Sequence, residues 1–204
     1  MNESLKYIYE LYPDAKCELT YHNLFELLIA VTLSAQTTDK KVNEATKILF
    51  EKYDSPAKLA SANIDDVKKI IKPIGMVNNK SKNIIEIAKI IHDTYNDEVP
   101  NDKELLTKLP GVGNKTANVV LAEGFKIPEL PVDTHINRIA KRLKIAKIDD
   151  DVLAVERKLK KQIEPEMYIQ MHHSLIYFGR YKCKAISPEC DDCKLKNKCQ
   201  KNYK

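Results

Sequence analysis

No run of eighteen apolar residues occurs in the 204-residue sequence, so nothing in it is expected to cross a membrane. Glycine (5) and proline (9) are scarce, which excludes a low-complexity chain. No segment alternates apolar and polar residues between hairpin turns, so strands are not expected. The opening MNESLKYIYELYPD has no basic stretch leading into an apolar one, and a secretory signal is not expected. What remains is 43% hydrophobic and 31% charged, enough for one large or two small domains with a real core, expected in the cytoplasm.

Five cysteines are present, four of them (Cys183, Cys190, Cys193, Cys199) within seventeen residues, with Cys17 alone. An odd count without a secretory signal argues against a disulfide framework, and the crowding argues for a metal site. One C-x2-C pair is flanked by gaps of six and five, without the second knuckle usual for zinc. Four thiolates also suit a [4Fe–4S] cube, and the spacing alone leaves both open.

Charge is uneven along the chain. Thr134 to Lys204 holds 17 Lys or Arg against 9 Asp or Glu, whereas Met1 to Asp133 holds 17 against 20. A basic end beside a slightly acidic remainder suits a polyanion, although solvated lysine-rich helices have the same composition.

Helical periodicity dominates. Leu24, Leu27, Leu28 and Val31 fall on one helical face, as do Ile84, Ile87, Ala88 and Ile91. Val42, Ala45, Ile48 and Leu49 form a third stripe, and Val152, Val155, Leu159 and Ile163 a fourth. About ten short helices are expected, with a crossover between domains at Ile127-Pro128-Glu129-Leu130-Pro131. One segment is different: Leu109-Pro110-Gly111-Val112-Gly113-Asn114-Lys115-Thr116 holds two of the five glycines between two helices. Glycine lets another group approach the backbone, and the amides opening the next helix suit a phosphate.

These residues resemble the endonuclease III family of DNA glycosylases. LPGVGNKTANVVL is similar to its helix-hairpin-helix motif, Pro131-Val132-Asp133-Thr134-His135 to its aspartate segment, and the four spaced cysteines to its iron–sulfur loop. Leu33-Ser34-Ala35-Gln36-Thr37-Thr38-Asp39 is similar to its glutamine loop. The resemblance implies an all-α protein of two helical domains flanking a DNA-binding cleft. A six-helix barrel domain is expected over 17–127, with the hairpin motif at about 102–125. Residues 1–16 with 128–204 are expected to form an iron–sulfur domain with its cluster loop at 183–199.

The resemblance also implies a bifunctional enzyme that removes oxidised pyrimidines from duplex DNA and cuts at the abasic site. Lys115 is the expected nucleophile: a neutral amine can attack the sugar, and a first-turn position with partial burial disfavours its cation. Asp133 is its expected partner, although aspartate before Thr134-His135-Ile136 is also an ordinary N-cap. Gln36 is expected to bond the orphaned base and Met76 to wedge into the stack, the bland alternatives being a loop residue and a core residue. Gly111, Val112, Gly113 and Asn114 are expected at a phosphate, and Lys182 and Lys184 near the DNA backbone. Asn114 departs from the basic residue often found at its position, which predicts a modest loss of affinity. Cys183, Cys190, Cys193 and Cys199 are the expected ligands of a [4Fe–4S] cluster that holds its loop. His135, His172 and His173 are expected to be structural. The protein is expected to work as a monomer, and the lesion range is not legible. Rival readings are the adenine-removing and mismatch-thymine branches, a non-catalytic DNA-gripping module, and a zinc-stapled DNA-binding protein.

Overall fold

The computed structural model describes residues 1–200, and no strand occurs among them. Residues 201–204, with Lys201 and Lys204 of the basic stretch, lie outside the described residues. The chain divides into two compact units, Glu18–Phe125 and Met1–Cys17 together with the chain from Lys126 onward.

The first unit holds α2 (Leu24–Leu33), α3 (Asp39–Lys52), α4 (Pro56–Ala60), α5 (Ile64–Ile71), α6 (Val77–Tyr95), α7 (Lys103–Thr107) and α8 (Asn114–Phe125). The second holds α1 (Glu3–Leu11), α9 (Thr134–Arg142), α10 (Val152–Lys160) and α11 (Tyr168–Tyr177), the last continued by a π-helical turn over Phe178–Lys182. Short polar side chains start many of these helices. Asn2, Asn23, Ser55, Asn63, Asp102, Asp133 and Asp151 each accept a backbone N–H from the first turn, satisfying donors that have no intrahelical acceptor.

Helix α2 is the axis of the first unit, and every residue from Phe25 to Leu33 is buried. It packs against α3, α6 and α8, which is wider burial than the single stripe of Leu24, Leu27, Leu28 and Val31 anticipates. The sequence LFELLIAVTL permits this because its one charged side chain finds hydrogen-bond partners locally. The buried Glu26 carboxylate accepts the His22 backbone N–H at 2.8 Å and lies 2.9 Å from the His22 ring Nδ1. Ile84, Ile87, Ala88 and Ile91 of α6 are fully buried. On α3, Val42, Ala45 and Leu49 are buried but Ile48 is 54% exposed, because one residue turns the helix by about 100° and carries Ile48 off the stripe.

In the second unit α1 and α9 pack on α11, and α10 packs on α9. Leu5, Ile8, Ile136, Ile139, Met171, Leu175 and Phe178 form its dry centre. Val155, Leu159 and Ile163 join that core, whereas Val152 at the start of α10 is exposed. Gly179 fits where a Cβ would lie 2.8 Å from His135 Cβ and 3.0 Å from Ile139 Cδ1, so its missing side chain lets the π-helical turn close on α9. His172 and His173 are buried on α11, with His172 Nδ1 2.9 Å from the Pro131 carbonyl, a structural role.

Candidate active site

The glycine hairpin joins α7 to α8. Asp102 caps α7, accepting the Leu105 N–H at 2.9 Å. The chain then tightens: the N–H groups of Lys108, Leu109 and Val112 donate to the carbonyls of Leu105, Leu106 and Leu109. Gly111 has φ +77°, a left-handed conformation that costs an L-residue about 1–2 kcal/mol. A Cβ there would lie 3.2 Å from Asn83 Cγ on α6 and closer still to its amide nitrogen. Gly113 is under neither constraint, since a Cβ there would meet nothing within 4 Å. Its place is open space over the start of α8, where a phosphate could approach the backbone. Between the glycines, Val112 is 5% exposed and plugs the hairpin into the core.

Helix α8 begins at Asn114, and its first closed bond runs from the Ala117 N–H to the Gly113 carbonyl at 3.0 Å. The N–H groups of Asn114, Lys115 and Thr116 therefore have no intrahelical acceptor, an arrangement that suits an anion. Lys115 is exposed in this first turn, where partial burial is anticipated from sequence. The helical phase turns Ala117 and Asn118 inward instead.

Asp133 is the N-cap of α9. Its Oδ1 accepts the Ile136 N–H at 2.8 Å, and the carboxylate is half-buried. The cap fixes the side chain on a rigid helix end. His135 follows it, and burial, partly offset by Asp133, lowers its pKa below the usual imidazole value, so it is neutral at pH 7.

Gln36 and Met76 belong with the hairpin in the Glu18–Phe125 unit. Both are exposed and both occupy left-handed backbone conformations, φ +57° and +48°. Met76 is 49% exposed at the N-terminal boundary of α6, so it is not a core methionine. Non-glycine residues rarely hold this conformation, and where they do it is over-determined by their surroundings.

The cysteine loop lies in the other unit. Cys183, Cys190, Cys193 and Cys199 line one cavity together with Arg142, Phe178, Lys182 and Leu195. No three histidine, cysteine or carboxylate side chains among the described residues have the close spacing of a single-ion site. A four-iron cube spreads its thiols round a wider body than one ion does, so the shared cavity and the donor set are the relevant tests. Both are met. Arg142 Nη1 donates to Cys183 Sγ at 3.3 Å, placing a cation beside one of the four sulfurs. Lys182 is held by Asp192 at 2.9 Å and Lys184 by Glu189 at 2.7 Å, so both basic side chains are engaged within the loop.

Two residues of this site are missed by sequence reasoning. Arg142, 2% exposed, donates to the carbonyls of Lys184 (2.7 Å) and Ala185 (3.1 Å). Arg138 donates to those of Gly179 (2.8 Å) and Cys183 (2.9 Å). The signal was available: two arginines one turn apart on α9, beside the core positions Ile139 and Ala140, mark a helix face that must bury guanidinium groups against acceptors.

Residues 29–165 match the HhH-GPD superfamily of base excision DNA repair proteins. Endonuclease III of Bacillus subtilis (strain 168) is 47% identical over 195 residues, 96% of this chain and 89% of that protein. The chain is a member of the endonuclease III family. The fold agrees: a non-covalent endonuclease III–DNA complex superposes with TM-score 0.94 at 48% identity, covering 97% of this chain and 92% of that one. A trapped covalent endonuclease III–DNA intermediate with an estranged adenine gives 0.93 at 48% identity, covering 96% and 92%. The all-helical architecture is that of endonuclease III. No helix among the described residues is long and apolar enough to cross a membrane.

Proposed function

We propose that this chain removes oxidised pyrimidines from duplex DNA and then cuts the strand 3′ to the abasic site, with Lys115 as the nucleophile. It is a base excision repair DNA glycosylase and lyase by family. The observation that carries the finer reading is the likeness, over 96% of the chain, to an endonuclease III trapped as a covalent DNA intermediate. A covalent intermediate needs a nucleophile, and the exposed Lys115 amine stands on the first turn of α8 beside amides that suit a phosphate.

The Lys115 Nζ lone pair attacks sugar C1′ while the bond from C1′ to the base breaks. The base leaves with that electron pair and is protonated. Asp133 accepts the proton that the attacking nitrogen sheds, and its charge stabilises the cationic sugar. Opening of the C1′–O4′ bond yields the Schiff base. Loss of a C2′ proton then expels the 3′ phosphate, and water hydrolyses the imine to restore the lysine.

The lesion must first leave the stack, which costs a few kcal/mol. Gln36 bonds the orphaned base and Met76 fills the gap, as an estranged adenine in the related complex supports. Gly111, Gly113 and Asn114 offer backbone amides to a phosphate, while Val112, whose N–H is taken by the Leu109 carbonyl, holds the hairpin in shape. Lys182 and Lys184 reach the DNA backbone by sharing their charge between phosphate and the carboxylates that hold them. Cys183, Cys190, Cys193 and Cys199 hold a [4Fe–4S] cluster, whose iron–thiolate bonds supply a rigid brace for the loop. The protein acts as a monomer on nucleoid DNA in the cytoplasm.

The test is a duplex carrying one thymine glycol. Free damaged base together with a 3′ unsaturated aldehyde end is expected. Base release that leaves an intact abasic strand would instead indicate a monofunctional glycosylase. Binding without base release would leave only a DNA-gripping module.

A further inference from the structure

The buried lysine of α6 has no part in the chemistry above. Lys80 is 5% exposed, yet its ammonium makes no ion pair with a carboxylate among the described residues. Burial lowers its pKa below the usual lysine value, so its place in the interior has a cost. Its Nζ donates instead to two backbone carbonyls, Leu33 at 2.9 Å and Ala35 at 2.8 Å. Leu33 is the last residue of α2, where the helix dipole favours a cation, and Ala35 immediately precedes Gln36. The backbone N–H of Lys80 donates to the Met76 carbonyl at 3.0 Å. One residue therefore links both exposed left-handed turns: its side chain reaches the chain before Gln36, and its main chain sits one helical turn past Met76, bonded to it by the first i to i−4 bond of α6.

We propose that Lys80 is a positioning residue that couples the Gln36 and Met76 turns, so that both enter the DNA as one rigid pair when the lesion is extruded. This rests on the roles given above to Gln36 and Met76. A left-handed turn with an exposed tip has little to hold it locally. The Gln36 turn has the Thr37 N–H to Ser34 carbonyl bond at 3.2 Å, and the Met76 turn the Gly75 N–H to Lys72 carbonyl bond at 3.4 Å. The ammonium adds two charged hydrogen bonds between segments 45 and 47 positions apart in sequence. Removing it leaves two carbonyls without their donor and frees the turns from each other.

The experiment compares wild type, Lys80→Met and Lys80→Arg on a duplex with 2-aminopurine opposite a thymine glycol. The fluorescence change at saturating protein reads how the orphaned base is held, and kcat and KM are measured on the same DNA. Lys80→Met is expected to lose most of the fluorescence change and about tenfold in kcat, a size set by the loss of charged bonds to one buried and one part-buried carbonyl. Lys80→Arg, which keeps the cation and donors, is expected to restore the signal to within about twofold of wild type. Adding Gln36→Ala to Lys80→Met is expected to cost less than Gln36→Ala costs alone, because both act through one turn. Should Lys80→Met not fold, Lys80→Leu carries the same test, again with no donor. A full wild-type signal and kcat in a folded Lys80→Met or Lys80→Leu protein would overturn the coupling. Wild-type protein that fails to trap on this DNA under borohydride would overturn the Schiff-base reading alone, and the 2-aminopurine signal would still decide the coupling.

Discussion

Two loops with the same proposed duty, gripping DNA, are held in opposite ways. The hairpin from Lys108 to Gly113 is held by its backbone: three tight-turn hydrogen bonds, a left-handed Gly111 pressed on Asn83, and Val112 plugged into the core. The cysteine loop is held by side chains. Arg138 and Arg142 reach from α9 to the carbonyls of Gly179, Cys183, Lys184 and Ala185, and ion pairs pin Lys182 and Lys184. A loop fixed by its own backbone can leave side chains such as Lys115 free for chemistry. A loop fixed by side chains has fewer to spare and needs cross-links, which is the part a cluster would play.

This contrast can be broken, and the largest expected effect comes first. Lys115→Ala should abolish turnover, by about 10³-fold or more, because a nucleophile has no substitute. Since the side chain is exposed and the backbone holds the hairpin, thermal unfolding should stay within about 0.5 kcal/mol of wild type. A large loss of stability would show that the hairpin depends on Lys115 after all. Arg142→Met should cost about 2 kcal/mol in urea unfolding, by leaving several part-buried acceptors without their charged donor. The preparation should also lose iron and its yellow-brown colour. A change below about 1 kcal/mol would mean the loop does not hang on α9.

Asp133→Asn separates cap from chemistry, because asparagine caps as well as aspartate but is a far weaker proton acceptor. Stability should move by a few tenths of a kcal/mol while the rate of base release falls about 10²-fold. The smallest pair sharpens the hairpin itself. Gly111→Ala should destabilise by about 1–2 kcal/mol through its φ of +77° and its contact with Asn83. Gly113→Ala should leave unfolding unchanged within about 0.5 kcal/mol but weaken binding to an abasic duplex, because its Cβ meets only open space where the phosphate would lie. Equal effects at the two positions would contradict the different reasons given for them.

Much of this was legible in the sequence, and its limits are physical. The helices announce themselves through apolar spacing and polar N-caps such as Asp102 and Asp133. The glycine hairpin is legible because backbone constraints leave few residue choices. Composition hides what depends on depth: α2 reads as one stripe yet is buried all round, because period does not report how many neighbours a helix has. Ile48 reads as core and is exposed. Lys80, Arg138 and Arg142 look like surface cations, since nothing local says that their partners are carbonyls about 40 residues or more away. Exposure of Lys115 and the ion pairs of Lys182 and Lys184 likewise appear only once the chain is folded.

The central claim is Schiff-base chemistry at Lys115. It is tested most directly by borohydride reduction of protein mixed with a duplex carrying one thymine glycol, wild type beside Lys115→Ala. A covalent protein–DNA complex with wild type and none with Lys115→Ala is the predicted result. Trapping that persists in Lys115→Ala, or wild type that binds the duplex without trapping, would contradict it.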